Sequence, residues 1–519
     1  MSVEIYDTTL RDGCQGEGIS FSVGAKVEIT RRLDAMGIHY IEGGWPGSNP
    51  RDAEYFKQVR RLSLKSSQLT AFSFVGKVGT PPEQDESLRA LLDAETPIVT
   101  VVGKSWDLHV EAVLRTTLDE NRRLIRDAVR YLVGQGRRVM YDAEQFFDGY
   151  KANPVYALKT LEAAAEGGAE IVVLCDTNGG SMPWEVATIV EAVRESVGLP
   201  VGMHPHNDCE LGVANALAAV RSGAVQVQGT INGYGERVGN ANLSSIIPNL
   251  KVKMGINCIS DDQLRDLTAL SHRVSELTNL ELSPRAPYVG RSAFAHKAGL
   301  HADATMKLRQ SYQHIVPDRV GNETRVLISE LAGKGNVLFK ASEFGLGADL
   351  SPEAARRVAQ QIKERESEGY AYEKAEASFE LLLRRTLHGH AGAFQAIAFE
   401  ATSLSNRSQA TARVKVDGAE RSGMGEREHL VDALWAALSD ALTGHVPEIA
   451  RIEIVGCESE PVVDRTGAHV RVRAFVSARS GDGRQWRTVG CGNSADAAVW
   501  QALVDCIEFG TMKRVVEHV

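Results

Sequence analysis

Two histidines that are two residues apart, His204 and His206, are well suited by type and spacing to bind a metal ion. In an extended chain, residues i and i+2 point to the same side, so both imidazoles can reach one ion. Pro205 between them has a fixed φ angle and favours an extended His204, which pre-sets that geometry. A short pair of this kind also occurs in structural turns, so the pattern by itself leaves both interpretations open.

A carboxylate and a guanidinium near the N-terminus, Asp12 and Arg11, extend the metal hypothesis. Two histidines and one carboxylate with open positions suit a catalytic divalent metal that acts as a Lewis acid. A fixed Arg11 beside this metal would stabilise a developing oxyanion, although an ordinary salt bridge is the alternative for an arginine. We therefore predict a catalytic metal site with Asp12, His204 and His206 as ligands.

Two further polar residues, Glu144 and Thr177, follow apolar runs in the sequence. They could hold water or a substrate carboxylate, and hydrogen bonding within loops explains them equally well. The glycines at 233, 235 and 239 have the spacing G-x-G-x-x-x-G, and no helix clearly begins inside it. We interpret them as loop flexibility around Asn240 and not as a phosphate-binding loop.

A histidine-containing segment, HKAGLHAD at 296–303, lies beyond the other polar clusters. Histidine is the most frequent general base, which makes His301 a candidate for that role. A surface turn explains the segment as well, and Tyr312 nearby is equally open.

These residues must be positioned by the short apolar runs that precede them, and such runs predict strands. Eight of them occur in the first 255 residues, at 2–6, 39–42, 69–75, 97–102, 137–141, 170–175, 200–203 and 225–230. Stretches with helical periodicity lie between them, for example 22–36, 117–134, 154–167 and 183–197. Eight strands that alternate with helices in about 250 residues are typical of a (β/α)8 barrel.

The polar residues also fit this architecture, because catalytic groups of such barrels lie at the C-terminal ends of the strands. An open doubly wound sheet is the alternative. It usually carries a glycine-rich phosphate turn after its first strand, where this sequence has RDGC at 11–14. We therefore predict a (β/α)8 barrel for residues 1–255.

The rest of the chain predicts two further regions. Residues 256–370 are mostly helical and charged, without a repeated βα unit, and indicate a lid or linker. Residues 371–519 predict a duplicated βββα pattern that is typical of a binding or regulatory domain. Its predicted strands are 377–383, 394–401 and 410–416, then 450–456, 468–477 and 485–490, and its predicted helices are 427–443 and 494–510.

Composition restricts the function classes. The net charge of −9 with both signs interspersed argues against nucleic acid or an anionic membrane as the main partner. We see no signal peptide and no run of about 18 apolar residues. The seven cysteines are scattered without a C-x-x-C pair, which favours a reducing cytoplasm over a disulfide framework.

The assembled motifs resemble those of the metal-dependent acyl-CoA condensing enzymes that include isopropylmalate, homocitrate and citramalate synthases. The matching segments are DTTLRDG at 7–13, HPHND at 204–208, GYGERVGNAN at 233–242 and HKAGLHAD at 296–303. The similarity is greatest to the citramalate synthase branch, through YIEGGWPGSNP at 40–50, GKSWDLH at 103–109, CDTNGG at 175–180, SFELLLRR at 378–385 and WQALVD at 500–505. The chain departs from the pattern of the family at two places. Pro205 stands where relatives often carry Thr, and the sequence of residues 302–304 differs from the usual lid sequence.

The resemblance implies a reaction of acetyl-CoA with pyruvate and water that gives (R)-citramalate and CoA and feeds isoleucine synthesis. It implies a divalent metal (Zn, Mn or Mg), a cytoplasmic homodimer with the lid supplied by the neighbouring subunit, and a C-terminal domain that binds isoleucine or leucine as feedback inhibitor. The implied residue roles are metal ligands at Asp12, His204, His206 and Asn240, catalytic groups at Arg11, Glu144, His301 and Tyr312, and substrate contacts at Arg11, Asp142 and Thr177.

Three alternatives follow. The acceptor could be another 2-oxo acid, as in isopropylmalate or homocitrate synthases. A lyase that cleaves a hydroxyacyl-CoA would carry a cysteine in the loop after strand eight, and residues 229–242 contain none. A non-catalytic amino-acid sensor would have no use for the intact set of metal ligands.

Overall fold

The computed structural model describes residues 2–297, 301, 304–305, 308, 311–389, 392–463 and 470–512. Residues 298–300 and 302–303 of the segment HKAGLHAD therefore lie outside the described residues. The chain forms two compact units, Met1–Phe294 with Ile315–Glu323 and Ala295–His314 with Thr324–Val519. The predicted boundaries at residues 255 and 370 stay predictions. Within the described ranges, no helix is long and apolar enough to cross a membrane.

The first unit contains a closed barrel of eight parallel strands, in which β1 pairs with β8. The predicted (β/α)8 barrel is thus confirmed, and each strand agrees with its predicted run to within three residues at either end. The strands are β1 Glu4–Asp7, β2 Tyr40–Glu42, β3 Gln68–Phe74, β4 Ile98–Lys104, β5 Arg138–Glu144, β6 Ile171–Asp176, β7 Val201–Pro205 and β8 Gln226–Gly229.

Helices surround these strands and begin at local capping signals. Ser22 accepts a hydrogen bond from the amide of Ala25, and Asn153 caps a helix that has proline at its first position. The helices of this unit are α1 Val23–Ala35, α2 Pro50–Val59, α3 Glu86–Asp93, α4 Asp107–His109, α5 Leu118–Gly134, α6 Phe146–Ala152, α7 Pro154–Gly167, α8 Pro183–Val197, α9 Gly212–Arg221, α10 Leu243–Pro248, α11 Asp261–Leu264 and α12 Leu267–Thr278. The four helices predicted by periodicity are all present.

The core of the barrel explains why its strands are continuous apolar runs. Parallel strands covered by helices are buried on both faces. One cluster of buried side chains lies between strands and helices, and a second, centred on Tyr6, Met140 and Val173, contains residues of the strands themselves. This packed scaffold leaves the C-terminal strand ends as the place where polar side chains converge.

The second unit contains a short parallel pair, helices, and two three-stranded antiparallel sheets that are each followed by a helix. Its strands are β9 Ala295–His296, β10 Arg325–Val326, β11 Gln395–Leu404, β12 Arg407–Val416, β13 Ala419–Arg427, β14 Ile452–Val463, β15 Val470–Ser480 and β16 Gln485–Gly492. Its helices are α13 Lys334–Glu343, α14 Pro352–Ser367, α15 Glu376–His388, α16 Leu430–Leu442 and α17 Ala495–Thr511. The duplicated βββα pattern is therefore confirmed.

One predicted strand of this region is wrong, because residues 377–383 lie within helix α15. All seven of these residues are buried, five of them apolar and the other two Ser378 and Glu380, so the run is apolar without being a strand. A short apolar run does not distinguish a buried helix from a strand. The third strand of the first sheet is instead β13, whose residues are mostly exposed and which carries no apolar alternation.

Candidate active site at the barrel mouth

His204 and His206 come together with Asp12 at the C-terminal end of the barrel. The two imidazole centroids are 5.3 Å apart, and both rings are buried. Nε2 of His204 lies 3.2 Å from Oδ2 of Asp12, and Nε2 of His206 lies 3.9 Å from the same oxygen. The three side chains offer ligand atoms that all lie within 4.8 Å of one another. Two imidazole nitrogens and one carboxylate oxygen form a donor set that fits a divalent metal.

Hydrogen bonds orient the first of these histidines. Nδ1 of His204 lies 2.8 Å from Oε1 of Gln228, so Nε2 faces Asp12. The amide nitrogen of Gln228 donates to Asp142 at 3.2 Å. Metal-binding histidines usually have such a partner on the nitrogen that does not bind the ion. The arrangement thus favours a metal-binding orientation of His204.

The charges of this cluster also suit a metal. Burial, together with His204, lowers the pKa of His206 to about 4, so this imidazole is neutral at pH 7. Burial acts to raise the pKa of Asp12, but Arg11 and His204 outweigh it and hold that pKa below its usual range. Burial acts to lower the pKa of His204, whereas Asp12 raises it above the ordinary value. At neutral pH the cluster therefore contains an anionic carboxylate and at least one free imidazole lone pair, as metal binding requires.

Asn240, the fourth predicted ligand, lies beside His206 through an isolated antiparallel bridge between their backbones. Its side-chain nitrogen donates to the carbonyl of Tyr234 at 3.3 Å. Its Oδ1 is buried and has no hydrogen-bond partner among the described residues. A buried acceptor without a partner is costly, and a bound ion or its water would satisfy it.

Arg11 is held in place by Glu42, the last residue of β2. Its Nε donates to Oε2 of Glu42 at 2.5 Å, while Nη1 lies 3.6 Å from Oδ2 of Asp12. Tyr6 and Thr8 donate to the same buried carboxylate, at 2.7 and 2.5 Å. Burial acts to lower the pKa of Arg11, but Glu42 and Asp12 raise it above the ordinary value. The guanidinium is therefore a fixed cation next to the histidine and aspartate cluster.

A cavity of about 160 Å³ opens on this cluster. Seven of the predicted site residues line it, namely Arg11, Asp12, Asp142, Glu144, Thr177, His204 and His206. Burial raises the pKa of Asp142 to about 7, so that this carboxyl can carry a proton near neutral pH. Nζ of Lys104 lies 2.6 Å from Oε2 of Glu144, and the hydroxyl of Thr177 accepts from the amide of Gln145 at 2.8 Å.

His301 and Tyr312 belong to the second unit and are described there by themselves. Their rings stack, with centroids 4.3 Å apart and an angle of 26° between the planes. Both side chains are exposed. The described barrel site is built from residues of the first unit alone.

Glu42, Lys104 and Gln228 belong to the site, although their roles are not predicted from the sequence. Glu42 is the last residue of the second predicted strand, but a glutamate at a strand end carries no sign of its partner Arg11. Gln226 and Gln228 alternate with apolar residues in β8, and this pattern of polar residues in a buried strand was a usable signal.

Comparison with known proteins adds the family context. The profile of the HMGL-like family matches residues 2–274, and that of the homocitrate synthase post-HMGL domain-like family matches residues 288–369. The (R)-citramalate synthase of Geobacter sulfurreducens is 46% identical over 513 residues, which cover 98% of this chain and 97% of that protein.

Two further relatives match nearly the whole chain at different sequence identities. The (R)-citramalate synthase of Aquifex aeolicus is 44% identical over 518 residues, with 98% of either chain covered. The 2-isopropylmalate synthase of Shouchella clausii is 30% identical over 491 residues, which cover 93% of this chain and 92% of that protein. The similarity thus extends beyond the barrel into the second unit, and it is greater to these two citramalate synthases than to that 2-isopropylmalate synthase.

Proposed function

This chain belongs to the family of the (R)-citramalate synthases, and from that premise we propose that it condenses acetyl-CoA with pyruvate and water to (R)-citramalate and CoA. The observation that carries the proposal is the sequence identity of 40–46% to five (R)-citramalate synthases over nearly the whole chain. The cluster at the barrel mouth supplies the chemistry that such a Claisen condensation needs.

Asp12, His204 and His206, with Asn240, would hold a divalent metal, which supplies Lewis-acid polarisation of the acceptor's keto group. Arg11 stabilises the negative charge that develops on the keto oxygen when the new carbon–carbon bond forms. Glu42 fixes the guanidinium for this purpose, since it binds Nε at 2.5 Å. Asp142 and Thr177 contact the acceptor, and Glu144 positions water.

The base that removes a methyl proton from acetyl-CoA is His301, assisted by Tyr312. The stacked pair is exposed on the second unit, as a group that acts on another surface must be. The resulting enolate carbon attacks the keto carbon of pyruvate, and water then cleaves the thioester so that CoA leaves as the thiol. His301 and Tyr312 act on the barrel site of the neighbouring subunit in a homodimer.

Each of three regions of the chain has its own role in the proposed function. Residues 1–255 form the catalytic domain, 256–370 the lid and linker, and 371–519 a regulatory domain that binds isoleucine or leucine as feedback inhibitor. The reaction takes place in the cytoplasm and supplies isoleucine synthesis. The seven free cysteines agree with a reducing compartment.

The test is CoA release measured with acetyl-CoA and each of pyruvate, 2-oxobutanoate, 2-oxoisovalerate and 2-oxoglutarate, with and without isoleucine or leucine. We expect pyruvate to have the highest kcat/KM. A higher value for another 2-oxo acid would replace pyruvate as acceptor but keep the chemistry. Chelator-treated, metal-stripped enzyme should lose activity and regain it with added divalent metal; full activity after stripping would overturn the mechanism.

A further inference from the structure

One wall of the barrel cavity is aromatic, in contrast to its charged remainder. Trp45, Phe72 and Phe74 all line the cavity. Trp45 contacts both phenylalanines edge to face, with ring centroids 5.8 Å from Phe72 and 5.1 Å from Phe74. We refer to these three residues as the aromatic wall.

The wall adjoins the catalytic cation directly. The guanidinium carbon of Arg11 lies 3.9 Å from the centroid of the Phe72 ring, a cation–π distance. An acceptor whose oxygens lie at Arg11 and the histidine cluster therefore has its remaining carbon substituent within reach of the wall. Because most of the other lining side chains are charged or polar, an apolar substituent is best accommodated on this side.

The loop that carries Trp45 is anchored by a buried ion pair between Lys26 and Asp52. The second carboxylate oxygen of Asp52 accepts the backbone amide of Trp45 at 2.9 Å, and Lys26 donates to the carbonyl of Gly43 at 3.1 Å. Gly44 has φ +150°, and a Cβ there would lie 2.5 Å from the Asp52 carboxylate. The indole is thus held in the cavity by a backbone that has little freedom to withdraw.

We propose that Trp45 is a specificity-determining residue, which limits the acceptor to a 2-oxo acid with a small apolar side chain. The inference deepens the proposed function and rests on it. Because the anchored indole cannot readily withdraw, an acceptor side chain that extends toward the aromatic wall must be short.

The test replaces Trp45→Leu and compares kcat/KM for pyruvate, 2-oxobutanoate and 2-oxoisovalerate. One methylene in an apolar pocket changes kcat/KM by about 10–200-fold. We expect the ratio of 2-oxobutanoate to pyruvate to rise at least about tenfold in the variant, and that of 2-oxoisovalerate to rise further. Trp184→Leu is the matched control, because Trp184 is 69% exposed on α8 and should leave both ratios unchanged.

Unchanged ratios in an active Trp45→Leu enzyme would overturn the proposal. If that variant does not fold, Trp45→Phe and Phe74→Leu carry the same test, with a shift in the same direction expected and its absence decisive. If the unaltered enzyme prefers another acceptor, the proposed acceptor fails, but a shift toward larger side chains in Trp45→Leu still supports the role of Trp45. If no acceptor is turned over, the equilibrium binding of the same three acids to the metal-loaded proteins decides whether Trp45 limits the size of the acceptor side chain.

Discussion

At the scale of single residues, the site depends on the hydrogen bonds that the carboxylate of Glu42 accepts. This carboxylate is fully buried and accepts hydrogen bonds from Tyr6, Thr8 and Arg11. A buried carboxylate that lost these partners would strongly destabilise the fold. All three hydrogen bonds are therefore needed to keep the charge buried. The hydrogen bond from Nε of Arg11 to Glu42 holds the guanidinium in one orientation.

We therefore expect Glu42→Gln to lower kcat by about 10–100-fold, the usual cost of losing an orienting partner at a metal site. KM for pyruvate should change less, since Arg11 in the proposed mechanism acts mainly on charge that develops in the transition state. Steady-state kinetics of CoA release measure both constants. Glu4→Gln is the control, because Glu4 accepts from Tyr40 at the opposite end of the barrel. A normal kcat in Glu42→Gln would show that Arg11 needs no such support.

At the scale of elements, the loops after β6, β7 and β8 are tied together by Arg237. Its guanidinium donates to both oxygens of Asp208 at 2.6 and 2.8 Å and to the carbonyl of Thr177 at 2.7 Å. Arg237 adopts φ +58°, a left-handed conformation that non-glycine residues rarely adopt. The strained backbone and the bidentate pair together position the loop that leads to Asn240.

Arg237→Met should lower kcat/KM about tenfold or more, because displacement of catalytic loops by fractions of an ångström is costly. Stability should change by less than about 1 kcal/mol, since the ion pair is partly exposed. Arg138→Met provides the comparison. Arg138 makes a similar bidentate pair with Glu170 at the N-terminal end of the barrel, so its loss should leave kcat/KM intact. Equal kinetic effects in the two variants would refute a positioning role for Arg237.

The two βββα units of the C-terminal region share a further element-scale feature, a helix that packs directly on glycines of the third strand. A Cβ on Gly423 in β13 would lie 2.3 Å from the carbonyl oxygen of Ala437, and one on Gly490 in β16 would lie 2.1 Å from that of Ala498. The same close approach in both halves supports the duplication more directly than their side chains do.

Gly423→Ala and Gly490→Ala should each destabilise the second unit by about 1–3 kcal/mol, the typical cost of overpacking. Hydrogen exchange of helices α16 and α17 would detect this as faster opening of the helix concerned. Gly456→Ala in β14 is the matched control, because no atom lies within 4 Å of its added Cβ. Protection that is unchanged in the first two variants would mean that the helices can move away from the sheet at little cost.

At the scale of the whole molecule, the second unit contains a carboxyl group that should make stability depend on pH. Oε2 of Glu366 accepts from the amide of Glu330 at 2.6 Å, and Oε1 accepts from that of Tyr372 at 3.2 Å. Burial, together with Glu330, raises the pKa of Glu366 from 4.5 to about 8. The folded chain thus keeps a proton that the unfolded chain releases.

Since the folded pKa is the higher one, this contribution to stability is complete below about pH 4.5 and is lost as the pH rises to about 8. Glu366→Gln keeps a neutral group at this position, so its Tm should fall less than that of the unaltered protein between pH 5 and 8. Thermal unfolding across this range, followed at the second unit, measures the difference. Parallel Tm profiles for the two proteins would contradict the raised pKa.

Much of the architecture was predictable from the sequence alone, because it depends on local periodicity. The eight barrel strands, four of the barrel helices and the second βββα unit follow from apolar spacing, whereas β13 of the first βββα unit does not. His204 lies in β7 and His206 directly follows it, at a spacing that places both side chains on one side of an extended chain. The failure at 377–383 has the same origin, because burial on all sides makes a helical run apolar and hides its period.

Contacts between residues distant in sequence were decided only by the tertiary structure. Closure of the barrel brings β1 beside β2 and β8, which sets Arg11 against Glu42 and Asp12 against the histidines. The same closure places Trp45, Phe72 and Arg11 around one cavity. Sequence patterns record which side of a strand a residue occupies, whereas the distance between two strand ends depends on strand order and stagger around the whole barrel.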